Sequence, residues 1–321
     1  MKNKPILIVS GEPFSIFIEI FLKSIKKKKF NRKIVLIVSK SLFIEQMNEL
    51  GFNFKINLIN KKNIKFKELI KKKINIIDIN FNFNKVFDKI TDLSNQYIFE
   101  SFRVALKLIK TNNFAGLING PISKKNFLNG KFLGITEYLA HETRRTDKVS
   151  MLIYNKKLSV CPITTHVSIK DVYKKITKNK IIKQVKLIHE FYIKKFKINP
   201  KIAITGLNPH CESYYPSNEE DQIIKPAIKD LIKKKYNISG PFAADTIFLK
   251  QQLKKYNVIV GMYHDQVLTP AKTLFGFKSI NITLGLPFVR ISPDHGPNTS
   301  MVGKNKSDPQ SLIEAIKFLD K

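Results

Sequence analysis

Three of the six histidines stand where a chain could present an imidazole to a ligand: His166 in CPITTHVSI, His210 in GLNPHCE and His264 in MYHDQ. Neutral imidazoles bind Zn, Mn, Co or Ni, and three protein ligands leave coordination positions open for a substrate, as catalysis requires. The spacing carries no local signature such as HExxH, so each one alone reads more readily as a satisfied polar residue. His189 falls in a helical pattern and reads as structural, whereas His295 sits in SPDHG. A second cluster carries donors for an anion. Lys272, Asn281 and Arg290 lie in AKTLFGFKSINITLGLPFVRISPDHG, and an arginine emerging from an apolar run can clamp a carboxylate or phosphate. A surface ion pair explains that arginine equally well. No GxGxxG opens the first βα unit, and neither GxxxxGKS nor GxSxG occurs, which removes the common Rossmann, P-loop and hydrolase readings.

The elements that must position these residues follow from hydrophobic periodicity. Short β-branched runs predict strands at 5–11, 33–39, 74–79, 115–120, 150–155, 201–207, 257–263 and 279–285. Period-3.6 spacing predicts helices at 14–27, 42–50, 93–110, 180–196 and 311–319, and Pro226 marks the start of another within 221–234. The alternation argues for α/β layers around mostly parallel sheets. Four strands run into polar punctuation: Gly11-Glu12-Pro13, Asn119 to Lys124, Gly206 to His210, and Tyr263-His264-Asp265-Gln266. In open α/β sheets ligands sit outside the carboxyl ends of strands, so four such ends carrying His, Lys, Asp and Asn point to one site.

Composition sets the class. The chain has 321 residues, 43% of them hydrophobic, which suffices for two ordinary domains. Its longest apolar runs are too short to span a membrane, and the expectation is a soluble, cytoplasmic protein with no membrane partner. Cys161 and Cys211 form no CxxC and read as small buried side chains. The net charge of +32 invites a nucleic-acid reading. The lysines are spread along the whole chain without aromatic interleaving, so solvated faces are the better reading and no nucleic-acid partner is expected. A positive field still helps draw in an anionic small substrate.

The ordered set GEP, NGPISK, TEYLA, THVSIKDV, GLNPHCE, PFAADTIF, GMYHDQVLTPAK and NITLGLPFVRISPDHG resembles the 4-hydroxythreonine-4-phosphate dehydrogenases of vitamin B6 biosynthesis over nearly the whole chain. That resemblance implies an α/β fold of two α/β/α domains with a cleft between them, like isocitrate and isopropylmalate dehydrogenases, and a homodimer with shared active sites. The expected division is 1–128 with 262–321, and 129–261, the second carrying dimerisation and metal ligands. The implied reaction is NAD- or NADP-dependent oxidation of 4-phosphohydroxy-L-threonine at C3, then decarboxylation to 3-amino-2-oxopropyl phosphate. His166, His210 and His264 are the implied ligands of one divalent metal (Zn, Mg, Co or Mn), and Thr136, Lys272, Asn281 and Arg290 the implied substrate contacts. Asp245, Asp265 and Lys272 are candidates for orienting a ligand or moving the proton, and His295, Gly296 and Ser300 for contacting the cofactor.

Three departures from that family's pattern carry their own expectations. Ile135 stands where the family has histidine before Thr-Glu, which suggests a changed substrate such as a phosphorylated four-carbon sugar acid without the amino group. GEPFSIFIE replaces small glycine positions by bulky ones. Ser300 stands where an aspartate is expected in the cofactor loop and, with Lys304 and Lys306 nearby, favours or tolerates the 2′-phosphate of NADP. A homologue that binds but turns over poorly is the competing reading; the joint presence of the three histidines with Lys272, Asn281 and Arg290 speaks against it.

Overall fold

The computed structural model describes residues 4–61, 64–123, 132, 134–212 and 217–321; Lys124 of the NGPISK stretch lies outside the described residues. The chain divides into two compact units, 1–147 with 286–321, and 148–285. The crossing points therefore fall at 147/148 and 285/286, where the expectation had 128/129 and 261/262. His264, Lys272 and Asn281 thus belong with the second unit.

The first unit opens with β1 (Ile6–Val9), α1 (Phe17–Lys27), β2 (Ile34–Val38), α2 (Lys40–Glu49), β3 (Ile56–Leu58) and β4 (Ile74–Asp78). It continues through α3 (Ser94–Ile109), β5 (Leu117–Asn119) and α4 (Ile135–Glu142). The second unit follows with β6 (Ser150–Tyr154), β7 (Ser159–Pro162), α5 (Val172–Lys175), α6 (Lys178–Phe196), β8 (Ile202–Thr205), α7 (Lys225–Lys233) and β9 (Ile238–Phe242). It ends with α8 (Lys250–Leu253), β10 (Val258–Gly261), α9 (His264–Phe275) and β11 (Ile280–Leu284), after which β12 (Arg290–Pro293) and α10 (Gln310–Leu319) return to the first unit. All eight predicted strands are present. A turn of π-helix at Glu220–Ile224 leads straight into α7, so Pro226 lies near the start of a helix that its missing N–H does not interrupt.

The first unit's strands lie in the order β3-β4-β2-β1-β5-β12 with parallel pairing throughout. Runs such as ILIV of β1 are buried on both faces, as parallel strands covered by helices on both sides must be. Helix α3 packs Tyr97, Ile98, Phe102, Ala105, Leu106 and Ile109, at helical spacing, against Leu7, Val9, Val35, Ile37 and Leu117. Each such fully buried Leu, Ile or Phe contributes roughly 1.5–3 kcal/mol. In the second unit the order is β11-β6-β7-β10-β8-β9. β7, β10, β8 and β9 run parallel to one another, while β11/β6 and β6/β7 are antiparallel. Its core includes Ile153, Val160, Ala203, Ile259 and Val267.

The lysine runs behave as the charge reading expects: residues 26–29, 71–73 and 233–235 are exposed. Among the described residues no helix is long and apolar enough to cross a membrane.

Candidate functional site

In the second unit, four adjacent parallel strands each deliver a chemically capable side chain just beyond their carboxyl ends. β7 leads to His166, β10 to His264, β8 to His210 and β9 to Asp245. His264 is the first residue of α9, with Tyr263 in extended conformation as its N-cap. The strand predicted at 257–263 therefore ends in a helix N-terminus, where Asp265 also complements the helix dipole. The rings of His166 and His264 lie 6.1 Å apart between centroids. His264 Nδ1 is 2.6 Å from Asp265 Oδ1. His210 Nδ1 lies 3.9 Å from Asp245 Oδ2, and both side chains are well exposed.

His210 and Cys211 both adopt left-handed backbone, at φ of 56° and 62°. For non-glycine residues this costs on the order of 1–3 kcal/mol each and persists only where the surroundings enforce it. Glu220 anchors the chain just before them. Its buried carboxylate accepts the amides of Leu207 and Asn208 at 2.7 and 2.8 Å and the Asn208 side-chain amide at 2.7 Å. Burial pulls the Glu220 carboxyl upward, yet the hydrogen bonds from Asn208 and Leu207 together outweigh it and hold the group below the usual glutamate range. Cys211 is half-buried, not fully buried as expected, while Cys161 is buried with its thiol pushed up to about 12; both are free thiols.

Whether these residues suit a divalent metal is a question of donor chemistry. Two imidazoles on one ion place their ring centroids up to roughly 6.4 Å apart, given metal–nitrogen bonds of about 2.0–2.1 Å. The His166/His264 separation lies within that limit. The carboxylate on Nδ1 of His264 fixes the tautomer that leaves Nε2 as a donor, the arrangement ligating histidines commonly show. Among the described residues, no three His, Cys, Asp or Glu side chains of a single chain are grouped closely enough to hold a metal ion.

The other sequence-derived residues divide between the units. In the second, Asp265 and Lys272 are seven residues apart on α9, so they share a helix face. The Lys272 ammonium lies 5.6 Å over the Phe277 ring. Asn281 lies in β11 opposite Ile153.

In the first unit, Arg290 opens β12 and is 1% exposed, which excludes the surface ion pair. Its Nε donates to Asn119 Oδ1 at 2.7 Å and its Nη1 to Thr136 Oγ1 at 3.2 Å. Two of the expected substrate contacts, Arg290 and Thr136, are therefore hydrogen-bonded partners. Burial lowers the guanidinium to about 10, with Glu137 raising it, so it stays charged at neutral pH. Ile135 packs against the hydrophobic core, which is why an apolar residue is tolerated there. The His295 ring contacts the Gly296 carbonyl, and Ser300 donates to Asn298 Oδ1 at 3.2 Å. Ile16 N donates to Pro297 O, tying that loop to the segment before α1. His189 stacks edge-on against Tyr236, as a structural histidine should.

Sequence reasoning missed the side chains that hold the site in place: Asn119, Glu220 and Gln266. Asn119 and Gln266 were visible as polar punctuation after β-branched runs, the only signal available for them.

Glu12 also lies at a strand exit. Gly11 has φ +76°, and a Cβ there would lie 2.4 Å from Pro121 O, so glycine lets the GEP and NGP loops touch. Glu12 is 2% exposed, and burial pushes its carboxyl up to about 7, against smaller opposing effects of Ser94 and Ser123. Because the folded value exceeds the ordinary one, the folded chain holds this proton more tightly than the unfolded chain. The contribution is fully present below about pH 4.5 and about 3 kcal/mol is lost as pH rises to about 7. Glu12→Gln is therefore expected to remove that slope and to be more stable than the parent at pH 8. Denaturant unfolding of both proteins at pH 5 and pH 8 checks this; parallel pH dependences would contradict it.

Comparison with known proteins adds identity to this geometry. Residues 30–319 match the family model described as pyridoxal phosphate biosynthetic protein PdxA. A 4-hydroxythreonine-4-phosphate dehydrogenase of Sulfurihydrogenibium sp. is 39% identical over 316 residues, covering 97% of this chain and 96% of its own. A protein of Oceanobacillus iheyensis, provisionally named D-threonate 4-phosphate dehydrogenase, is 30% identical over 326 residues, covering 98% and 97%. The crystal structure of 4-hydroxythreonine-4-phosphate dehydrogenase from Klebsiella pneumoniae superposes with a TM-score of 0.86 at 26% identity, covering 99% of this chain and 97% of that one.

Proposed function

The chain belongs to the PdxA family of pyridoxal phosphate biosynthetic proteins, and from that premise we propose that it oxidises 4-phosphohydroxy-L-threonine at C3 and releases CO2, using NAD or NADP and a divalent cation. The observation that carries this reading is the delivery of His166, His264, His210 and Asp245 from the carboxyl ends of four adjacent parallel strands. The three imidazoles are the cation's ligands. The donor set is completed within a homodimer, for which His210, 75% exposed, is accessible.

When bound, the cation supplies Lewis acidity toward the substrate hydroxyl and the nicotinamide accepts hydride. The chain's own residues do the rest. Asp265 orients His264 through Nδ1. The hydroxyl proton passes to Asp245 or, as a neutral amine, to Lys272. Arg290, charged and held by Asn119, presents its guanidinium with Thr136 to an anionic group of the substrate. His295, Gly296 and Ser300 line the cofactor loop, and Ser300 with Lys304 and Lys306 accommodates a 2′-phosphate.

A second reading is favoured by two observations: Ile135 packs against the core where the family pattern has a polar contact, and a relative is named for D-threonate 4-phosphate. One assay separates the two. NAD(P)H formation is expected to be faster with 4-phosphohydroxy-L-threonine than with D-threonate 4-phosphate, to stop on chelation, and to proceed with NADP at least as well as with NAD. Faster turnover of the threonate would establish the second reading, and a strong NAD preference would remove the role given to Ser300.

A further inference from the structure

Gln266 lies two residues beyond His264, yet its side chain turns away from solvent and is 9% exposed. Oε1 accepts the amide of Met262 at 2.7 Å and the Thr205 hydroxyl at 2.9 Å, and Nε2 donates to Gly206 O at 2.8 Å. Those partners belong to two different strand exits. Met262 begins the turn from β10 to His264, whereas Thr205 and Gly206 lead from β8 into the loop carrying His210. The amide satisfies an acceptor and a donor need together, which neither a carboxylate nor a thioether does.

The bridge extends to the remaining exits. The Met262 carbonyl accepts both the amide of Thr164, at 3.2 Å, and its hydroxyl, at 2.9 Å, fixing the chain two residues before His166. The amide of Gly206 donates to Phe242 O at 2.9 Å, at the end of β9 before Asp245. The approach is close: a Cβ at Gly261 would lie 2.3 Å from Val267 Cγ1 and 3.0 Å from Gln266 Oε1. A side chain at 261 would have to displace Val267 or Gln266, so glycine leaves the room in which the helix start folds back beneath the turn.

We propose that Gln266 is a positioning residue that fixes where the His264 and His210 loops each stand at the sheet's carboxyl edge, and so how each imidazole is presented to a cation site completed in the dimer, and that Thr205 is its partner in doing so. The proposal rests on the reading of these histidines as metal ligands. Side chains that orient ligands from behind typically alter metal affinity by roughly 10–100-fold when removed. Gln266→Met keeps the length and removes all three hydrogen bonds, so it is expected to weaken affinity within that range; Thr205→Val removes one bond and is expected to weaken it less.

The test is titration of the full-length protein with Co2+ alone, followed by visible absorption, with melting of the metal-free proteins as the stability control. Weaker binding and an altered absorption envelope in Gln266→Met, with a smaller change in Thr205→Val, support the proposal. Wild-type Co2+ affinity and spectrum in both variants, even with lowered melting temperatures, overturn it and leave Gln266 merely structural. If Gln266→Met does not fold, Thr205→Val decides alone: binding at least twofold weaker supports the proposal, and unchanged binding overturns it. Failure of the parent protein to bind Co2+ would sink the metal reading and this inference with it, whereas parental binding with unaffected variants sinks this inference only.

Discussion

His264→Ala is expected to lower turnover by about 10^3-fold or more, with no recovery at saturating substrate, because Lewis-acid stabilisation of the reacting oxygen is worth several kcal/mol. His264 makes two commitments in the fold. It is the first residue of α9, directly beyond β10, and its Nδ1 is occupied by Asp265. Alanine removes the donor while leaving the helix start intact, since alanine is at least as good a helix former. The loss should therefore appear in kcat and in metal content with little change in melting temperature. Parental kcat in a metal-free His264→Ala preparation would show that the imidazole has another task.

The second large effect is expected at Arg290. Arg290→Ala should lower kcat/KM by a few hundred-fold, since two charge-assisted hydrogen bonds to an anion contribute roughly 1.5–3 kcal/mol each and are not fully additive. Arg290→Lys keeps a charge but loses the planar fork, and should fall between the two proteins. Because the side chain is 1% exposed and donates to Asn119, alanine should also destabilise the fold, by about 1–3 kcal/mol for the stranded Asn119 oxygen plus the void left behind. Measuring KM and kcat separately with 4-phosphohydroxy-L-threonine distinguishes the contributions. A KM unchanged from the parent would remove Arg290 from substrate binding and leave it a buried structural cation.

How far the sequence foretold this arrangement depended on how strongly each segment signalled. The eight strands read from β-branched runs were legible because apolar residues dominate them, without a break in ILIV and IVLIV, and are mostly buried in the sheet. The four that were missed, INL, SVCP, ISGPF and RISP, are short and mostly carry proline, glycine or charge. They are strands because neighbours pair with them, and that information is not local. Helix α9 was hidden by Pro270 within it and by the apolar run immediately before it. Helix α4 was hidden by its length of eight residues.

Candidate site residues at strand exits were legible as a pattern, since polar punctuation after a buried strand is where an α/β sheet presents ligands. Their supports were not. That Arg290 would be buried against Asn119, that Glu220 would hold the His210 loop, and that Gln266 would span two exits are all facts about contacts between residues 12 to 171 positions apart. Nothing in a single sequence distinguishes those polar side chains from their solvated equivalents.

The central claim is that three imidazoles, distant in sequence, hold one divalent ion. Anomalous diffraction at the zinc edge, from crystals grown with Zn2+, tests it most directly. The account predicts one peak per site within about 2.0–2.1 Å of ring nitrogens from His166, His210 and His264, counted across both copies of a dimer. Zinc bound elsewhere, or these three rings directed into separate regions of the assembly, would contradict it.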